Sequence, residues 1–141
     1  MKRREHLRLF ILSAMLTGLL AGCQTNPLQK NAYTLQAADV KRLFSGHTVE
    51  SYNLNTKNTS FTFYDAKGRA LQERLWARRT GSRKVTADGQ ICLSFDNKEP
   101  RCRHIVREGE RYYKVLPDRS GRLVHIVRYR YFSPANALNK K

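Results

Sequence analysis

The stretch QICLSFDNKEPRCRHIVR, residues 90–107, decides the fold. Its first part alternates, with Ile91, Leu93 and Phe95 on one side of an extended chain and Cys92 and Ser94 on the other. The segment DNKEP, rich in turn formers, interrupts the run. Alternation then resumes, with Arg101, Arg103, Ile105 and Arg107 in one phase and Cys102, His104 and Val106 in the other. A period of two on both sides of a short polar break predicts an antiparallel hairpin. The Cys102 side then meets Cys92 of the neighbouring strand. Three arginines in one phase do not line a dry core, so that side is expected to be basic and solvated.

The same texture continues in both directions. HTVESYNL, TSFTFYD, ALQERLWAR, SRKVT, RYYKVL and RLVHIVRYRYF are further short β-rich runs, and DAKG, TGS, ADG, EG and PDRSG supply turn residues between them. In TSFTFYD, Phe61 and Phe63 share one face, and Ser60, Thr62 and Tyr64 the other. The last run sets Arg122, Arg128 and Arg130 in one phase and Tyr129 and Tyr131 in the other. Upstream, TLQAADVKRLFSG carries Leu35, Ala38, Val40, Leu43 and Phe44 near helical spacing, with Thr34 as N-cap and Gly46 as terminator. The expected fold is mainly β: one short N-terminal helix followed by a small antiparallel β-barrel or twisted meander of about six to eight strands. It occupies residues 34–132 as a single domain, long enough for one core, with 133–141 as a polar tail.

The beginning of the chain has a different character. Lys2, Arg3, Arg4 and Arg8 precede LFILSAMLTGLL, residues 9–20. As a helix this run reaches ~18 Å, short of the ~30 Å hydrocarbon core, which is a signal-peptide profile rather than a membrane span. Leu20-Ala21-Gly22-Cys23 resembles the bacterial lipobox, in which small residues expose the bond before a cysteine whose thiolate takes up diacylglycerol. The resemblance implies a signal peptide at 1–22, lipidation of Cys23, a polar linker at 23–33, and, with Gln24 next rather than aspartate, an outer-membrane location on the periplasmic face.

Removing residues 1–22 takes four basic and one acidic side chain from a chain of net charge +16 and leaves +13. In an exported, tethered protein, that excess faces envelope polyanions rather than nucleic acid: lipopolysaccharide, anionic lipid or polysaccharide. The bland alternative is that the charge serves solubility. Cys92 and Cys102 remain as a pair, suited to a disulfide in an oxidising compartment. They could also join His104 in a metal site, but no fourth ligand at a recognisable spacing follows, so no metal is expected.

FSGHTV at 44–49, DAKG at 65–68, and DGQICLSF at 88–95 followed by Cys102 resemble an uncharacterised proteobacterial family of small secreted β domains. That family opens on a Gly-x-Thr strand and carries an Asp-Gly-x-x-Cys strand with a second cysteine beyond it. The resemblance covers 35–132 and implies a fold but no activity.

Catalytic chemistry finds little support. His47, His104 and His125 fall on separate predicted strands, and no serine lies in a nucleophile-elbow pattern. Glu108 and Glu110 flank Gly109 and could be paired acids for glycoside chemistry, but they also suit a solvated turn. No catalytic residue and no cofactor is expected. The expected role is non-enzymatic binding of an anionic envelope component, with Arg101, Arg103, Arg107, Arg111, Arg128 and Arg130 as the anion-binding set. The alternative is a protein-binding module, an accessory subunit of an envelope machine with an acidic partner. Small lipid-anchored β-barrels that inhibit lysozyme have a similar outline, but common lysozymes are themselves basic and a domain of this charge would repel them. Intact mass of protein from its native host is expected to show a product beginning at an acylated Cys23. A chain retaining Met1 with a free thiol would remove the lipoprotein assignment.

Overall fold

The computed structural model describes Leu28 and residues 31–139, so Cys23 and the signal and lipobox segments lie outside the described residues. The elements run β1 (Tyr33–Thr34), α1 (Ala37–Phe44), β2 (His47–Asn53), β3 (Thr59–Tyr64), β4 (Arg69–Arg74), β5 (Ala77–Val85), β6 (Ile91–Phe95), β7 (Arg101–Arg103), β8 (Ile105–Glu108), β9 (Arg111–Pro117) and β10 (Leu123–Pro134). A short 3-10 turn, Ala137–Asn139, follows. All ten strands form one antiparallel sheet in the order β1-β8-β9-β10-β2-β3-β4-β5-β6-β7.

Ten strands exceed the expected six to eight for two physical reasons. One is β1, a two-residue strand that pairs Tyr33 with Arg107 and Thr34 with Val106. Thr34 is therefore a sheet residue and not the helix cap. The helix follows β1 rather than opening the domain, and Gln36 occupies its N-cap without a side-chain hydrogen bond. The other reason is that RCRHIVR divides at His104. Before the break, β7 pairs with β6, Cys92 opposite Cys102. After it, β8 pairs with β9 and β1. The His104 carbonyl accepts from Val115 N at 3.1 Å, and the Ile105 carbonyl from Leu35 N at 2.8 Å. One bent segment thus joins the far end of the strand order to its near end, and the sheet curls into a half-barrel.

The turn assignment also changes in one place. TGS lies inside β5, and the hairpin falls within ALQERLWAR, at Leu75–Trp76, where Arg74 pairs with Ala77. Gly81 serves a close approach instead of a turn: a Cβ there would sit 2.1 Å from the Ser94 carbonyl oxygen of β6. Leu75 and Trp76 have φ of +48° and +66°, the positive values that a two-residue type I′ hairpin requires at both central positions. Such positions favour Asn, Asp or Gly, and the chain uses Asp96 (φ +55°) and Asn97 (φ +56°) in the turn after β6.

Alternation sorts the side chains between inside and outside. Thr62 and Tyr64 of β3 face inward and are fully buried, whereas Phe61 is 44% exposed. The core gathers Val40 and Phe44 of α1 with Val49, Tyr64, Ala70, Ile91, Ile105 and Tyr129. Phe44 meets the rings of Tyr64, Tyr129 and Phe132 edge-on, at centroid distances of 5.2, 5.1 and 5.7 Å. The helix is therefore a plug in the curl of the sheet. Arg83 braces it, its guanidinium donating to Ser45 Oγ at 3.0 Å and to the Asp65 carbonyl at 3.1 Å. A smaller apolar cluster, Val106, Tyr113 and Val115 with Leu28 and Leu123, covers the outer side of β8 and β9.

Residues 133–139, read from sequence as part of a polar tail, are tied to the sheet. Ser133 and Pro134 pair with Thr48 and His47. Thr48 Oγ1 donates to the Ala135 carbonyl and accepts from Ala137 N, both at 2.9 Å, and Leu138 is buried. The composition is polar, but the backbone groups find partners.

Phe44→Ala is expected to cost ~3–5 kcal/mol in chemical denaturation, because the plug loses three ring contacts at once. Replacing the turn by Leu75→Asn with Trp76→Gly is expected to raise stability by ~1–2 kcal/mol, since both new residues accept positive φ without strain.

Candidate anion-binding cleft

Inward phases that are apolar around the plug turn polar toward one end of the curled sheet. There, Ser51 and Asn53 of β2, Ser60 of β3, Gln72 and Arg74 of β4, Arg79 of β5, Arg101 and Arg103 of β7 and Lys114 of β9 line a cleft of about 260 Å³. Tyr64, Leu93, Phe95 and Val127 also contribute to its walls. Tyr64 is shared between the cleft and the core, where its ring meets Phe44. Among the described residues, five cationic side chains line this space and no carboxylate does.

The cations are held in place to different degrees. Arg79 is the most constrained: its guanidinium lies over the Phe95 ring at 4.5 Å and donates twice to Gln72 Oε1, at 2.9 and 2.6 Å. Gln72 is itself fixed by donating from Nε2 to Thr62 Oγ1 at 2.9 Å. Asp96 stands 3.5 Å from Arg79, a long and half-exposed ion pair of the weak, screened kind. Arg103 donates to the Cys102 carbonyl at 2.7 Å. Among the described residues, Arg74, Arg101, Arg103 and Lys114 have no carboxylate partner.

Lys114 shows what this crowding costs. It sits inward on β9 opposite Ile105 and Val127, with its ammonium 6.0 Å from the Tyr129 ring centroid. Burial, reinforced by the neighbouring Arg103 charge, lowers its pKa from 10.5 to about 8. A half-buried lysine beside an arginine, with no acidic partner among the described residues, is an unfavourable placement for a charge. A bound anion would relieve both penalties.

The six arginines singled out from sequence do not form one surface. Arg101 and Arg103 meet in the cleft. Arg107, in the same phase, lies beyond Ile105 at another rim, where it donates to the Gly109 carbonyl at 2.7 Å and Tyr33 Oη at 3.2 Å and pairs with Glu110 at 3.2 Å. The shared phase thus runs through the buried Ile105, with arginines only at its two ends. Arg111 is exposed at the β8–β9 turn, opposite Glu108. Arg130 lies over the Tyr52 ring at 4.1 Å and pairs with Glu50 at 3.1 Å. Arg128 sits between Tyr52 and Tyr113 in register, with its Nε buried and unpartnered among the described residues. Arg74, Arg79 and Lys114 were not in the set read from sequence. The phase of Arg74 and Arg79 was obscured because the Leu75–Trp76 turn was read as strand, whereas Lys114 shares an inward phase with Tyr112 that alternation in RYYKVL could have revealed.

Cys92 and Cys102 are joined by a disulfide, with Cα atoms 3.9 Å apart. It fixes β7, and with it Arg101 and Arg103, against β6. Glu108 and Glu110 part company. Glu110 is exposed, but Glu108 is buried, bonded at 2.8 Å to Nε2 of His125, whose ring stacks on Tyr113 at 4.1 Å. Among the described residues, no helix is long and apolar enough to cross a membrane. Comparison with known protein families, curated protein sequences and solved structures finds no match for this chain.

Lys114→Met is expected to raise stability at neutral pH by ~1 kcal/mol, because it removes a half-buried charge that has no acidic partner among the described residues. The sign with pH follows from a folded pKa below the unfolded one. Below about 8 both states are protonated and the penalty is complete. Between about 8 and 10.5 only the unfolded lysine remains charged, so wild-type stability rises with pH and the advantage of Lys114→Met shrinks. Denaturant midpoints of the two proteins across this range measure the effect.

Proposed function

We propose that this protein is a non-enzymatic, lipid-anchored binding protein of the Gram-negative outer membrane that takes an anionic group of an envelope component into the cleft of Arg74, Arg79, Arg101, Arg103 and Lys114. The anchor in this reading is the acylated Cys23, supported by the lipobox-like sequence around it. The observation that carries the binding role is the cleft itself, where half-buried Lys114 stands beside Arg103 among five cations and, among the described residues, no carboxylate. Such a charge arrangement is understandable where a ligand supplies the missing negative charge. Hydroxyl and amide groups of Ser51, Asn53, Asn58 and Ser60 complete a lining suited to phosphate or carboxylate oxygens.

Candidate ligands are the phosphates of lipopolysaccharide, a phospholipid headgroup or the carboxylates of an acidic polysaccharide. Full-length protein in neutral detergent is expected to bind lipopolysaccharide and soluble polyphosphate with affinity that falls steeply with salt. Arg103→Met and Lys114→Met are each expected to weaken binding by ~10-fold, about 1.4 kcal/mol. Affinity should also fall as pH rises through about 8, where Lys114 loses its proton. Binding that ignores salt, pH and both substitutions would remove the cleft from the mechanism.

A further inference from the structure

The hairpin tip Leu75–Trp76 combines three features that folding does not explain. Its residues are bulky and apolar at positions of positive φ, where this same chain uses Asp96 and Asn97 in its other such turn. They are also bare: Leu75 is 62% exposed and Trp76 fully so, with Phe61 of β3 half-exposed beside them. The tip is finally framed by arginine, since Arg74 and Arg78 flank it in sequence. Arg78 is ion-paired with Glu73, whereas Arg74 has no carboxylate partner among the described residues and lines the cationic cleft as well. Strain combined with apolar exposure marks a contact site that folding alone would have replaced by a better turn.

The chemistry of the tip indicates its occupant. It sets one leucine beside one tryptophan at the end of a two-residue turn, along an open depression that Phe61, Arg74 and Arg78 also line. A bilayer surface suits this set of side chains: leucine reaches the acyl region, an indole prefers the headgroup level, and the neighbouring guanidinium groups meet lipid phosphates. The large positive charge of the chain complements an anionic leaflet. We propose that the Leu75–Trp76 tip inserts into the surface of an anionic phospholipid bilayer, holding the mouth of the cleft against the membrane through Arg74. The inference goes beyond anion binding in the cleft and stands on the turn, so either can fail without the other.

Trp76 is the only tryptophan in the chain, so its fluorescence reports the tip alone. Full-length protein would be reconstituted in phosphatidylcholine nanodiscs with and without phosphatidylglycerol, each made with ordinary or brominated acyl chains. The expected result is a blue shift and bromine quenching in discs containing phosphatidylglycerol, with neither in pure phosphatidylcholine, where attachment through the N-terminal segment is equally possible. Leu75→Ser should reduce the quenching while leaving polyphosphate affinity unchanged. Arg103→Met with Lys114→Met should lose polyphosphate binding yet retain quenching of Trp76. A water-exposed, unquenched emission in anionic discs overturns the proposal, and so does quenching of equal strength in pure phosphatidylcholine.

Discussion

The bend at His104 is the constraint on which the rest of the structure depends. The chain on one side of it completes the ladder begun by β6, and the chain on the other side begins the ladder with β9. A flat meander could not give one continuous segment both sets of partners; the sheet must curl until its two flanks approach. The disulfide between Cys92 and Cys102 holds the first half of the segment, and the Leu35 amide, bonded to the Ile105 carbonyl, holds the second. Curling also protects what would otherwise be a long exposed edge, the usual liability of a small antiparallel sheet.

Once the sheet curls, its inner face has to be filled, and the filling is uneven. Around the plug, Phe44 draws three aromatic rings into a dry cluster. Toward the cleft the same inward phases carry Ser60, Gln72, Arg79, Arg103 and Lys114 instead. Tyr64 marks the boundary, with a ring in the core and a hydroxyl whose pKa burial raises to about 12. The dry end supplies stability, and that surplus lets the other end keep a cluster of like charges. Arg79, clamped by Phe95 and Gln72, shows that part of this cluster is preorganised rather than loosely solvated.

The strand–turn texture was legible because period-two alternation and turn residues are local properties. The β6–β7 hairpin, the cysteine pairing and the mainly β class follow from it, whereas the break at His104 does not. Two features resisted for definable reasons. The Leu75–Trp76 turn lacks the residues that signal a turn, and Gly81 supplies such a signal in mid-strand, where the real need is room for Ser94 and Phe95 of β6. The cleft resisted because its members come from β4, β5, β7 and β9, far apart in sequence. Only Arg101 and Arg103 were close enough to be read together.

What the sequence by itself determined is the list of faces: which residues of each strand stand together, which cysteines can meet, and how much positive charge the domain carries. The tertiary structure alone decided which face is inside. In RCRHIVR the arginine phase was assigned to solvent, because charged side chains avoid a dry core. The curl resolves that conflict differently, burying Ile105 at the centre, with Arg103 lining the open cleft on one side of it and Arg107 at another rim, both within reach of water. Alternation is a property of one strand, whereas enclosure belongs to all ten at once, and only enclosure turns separate cations into a site.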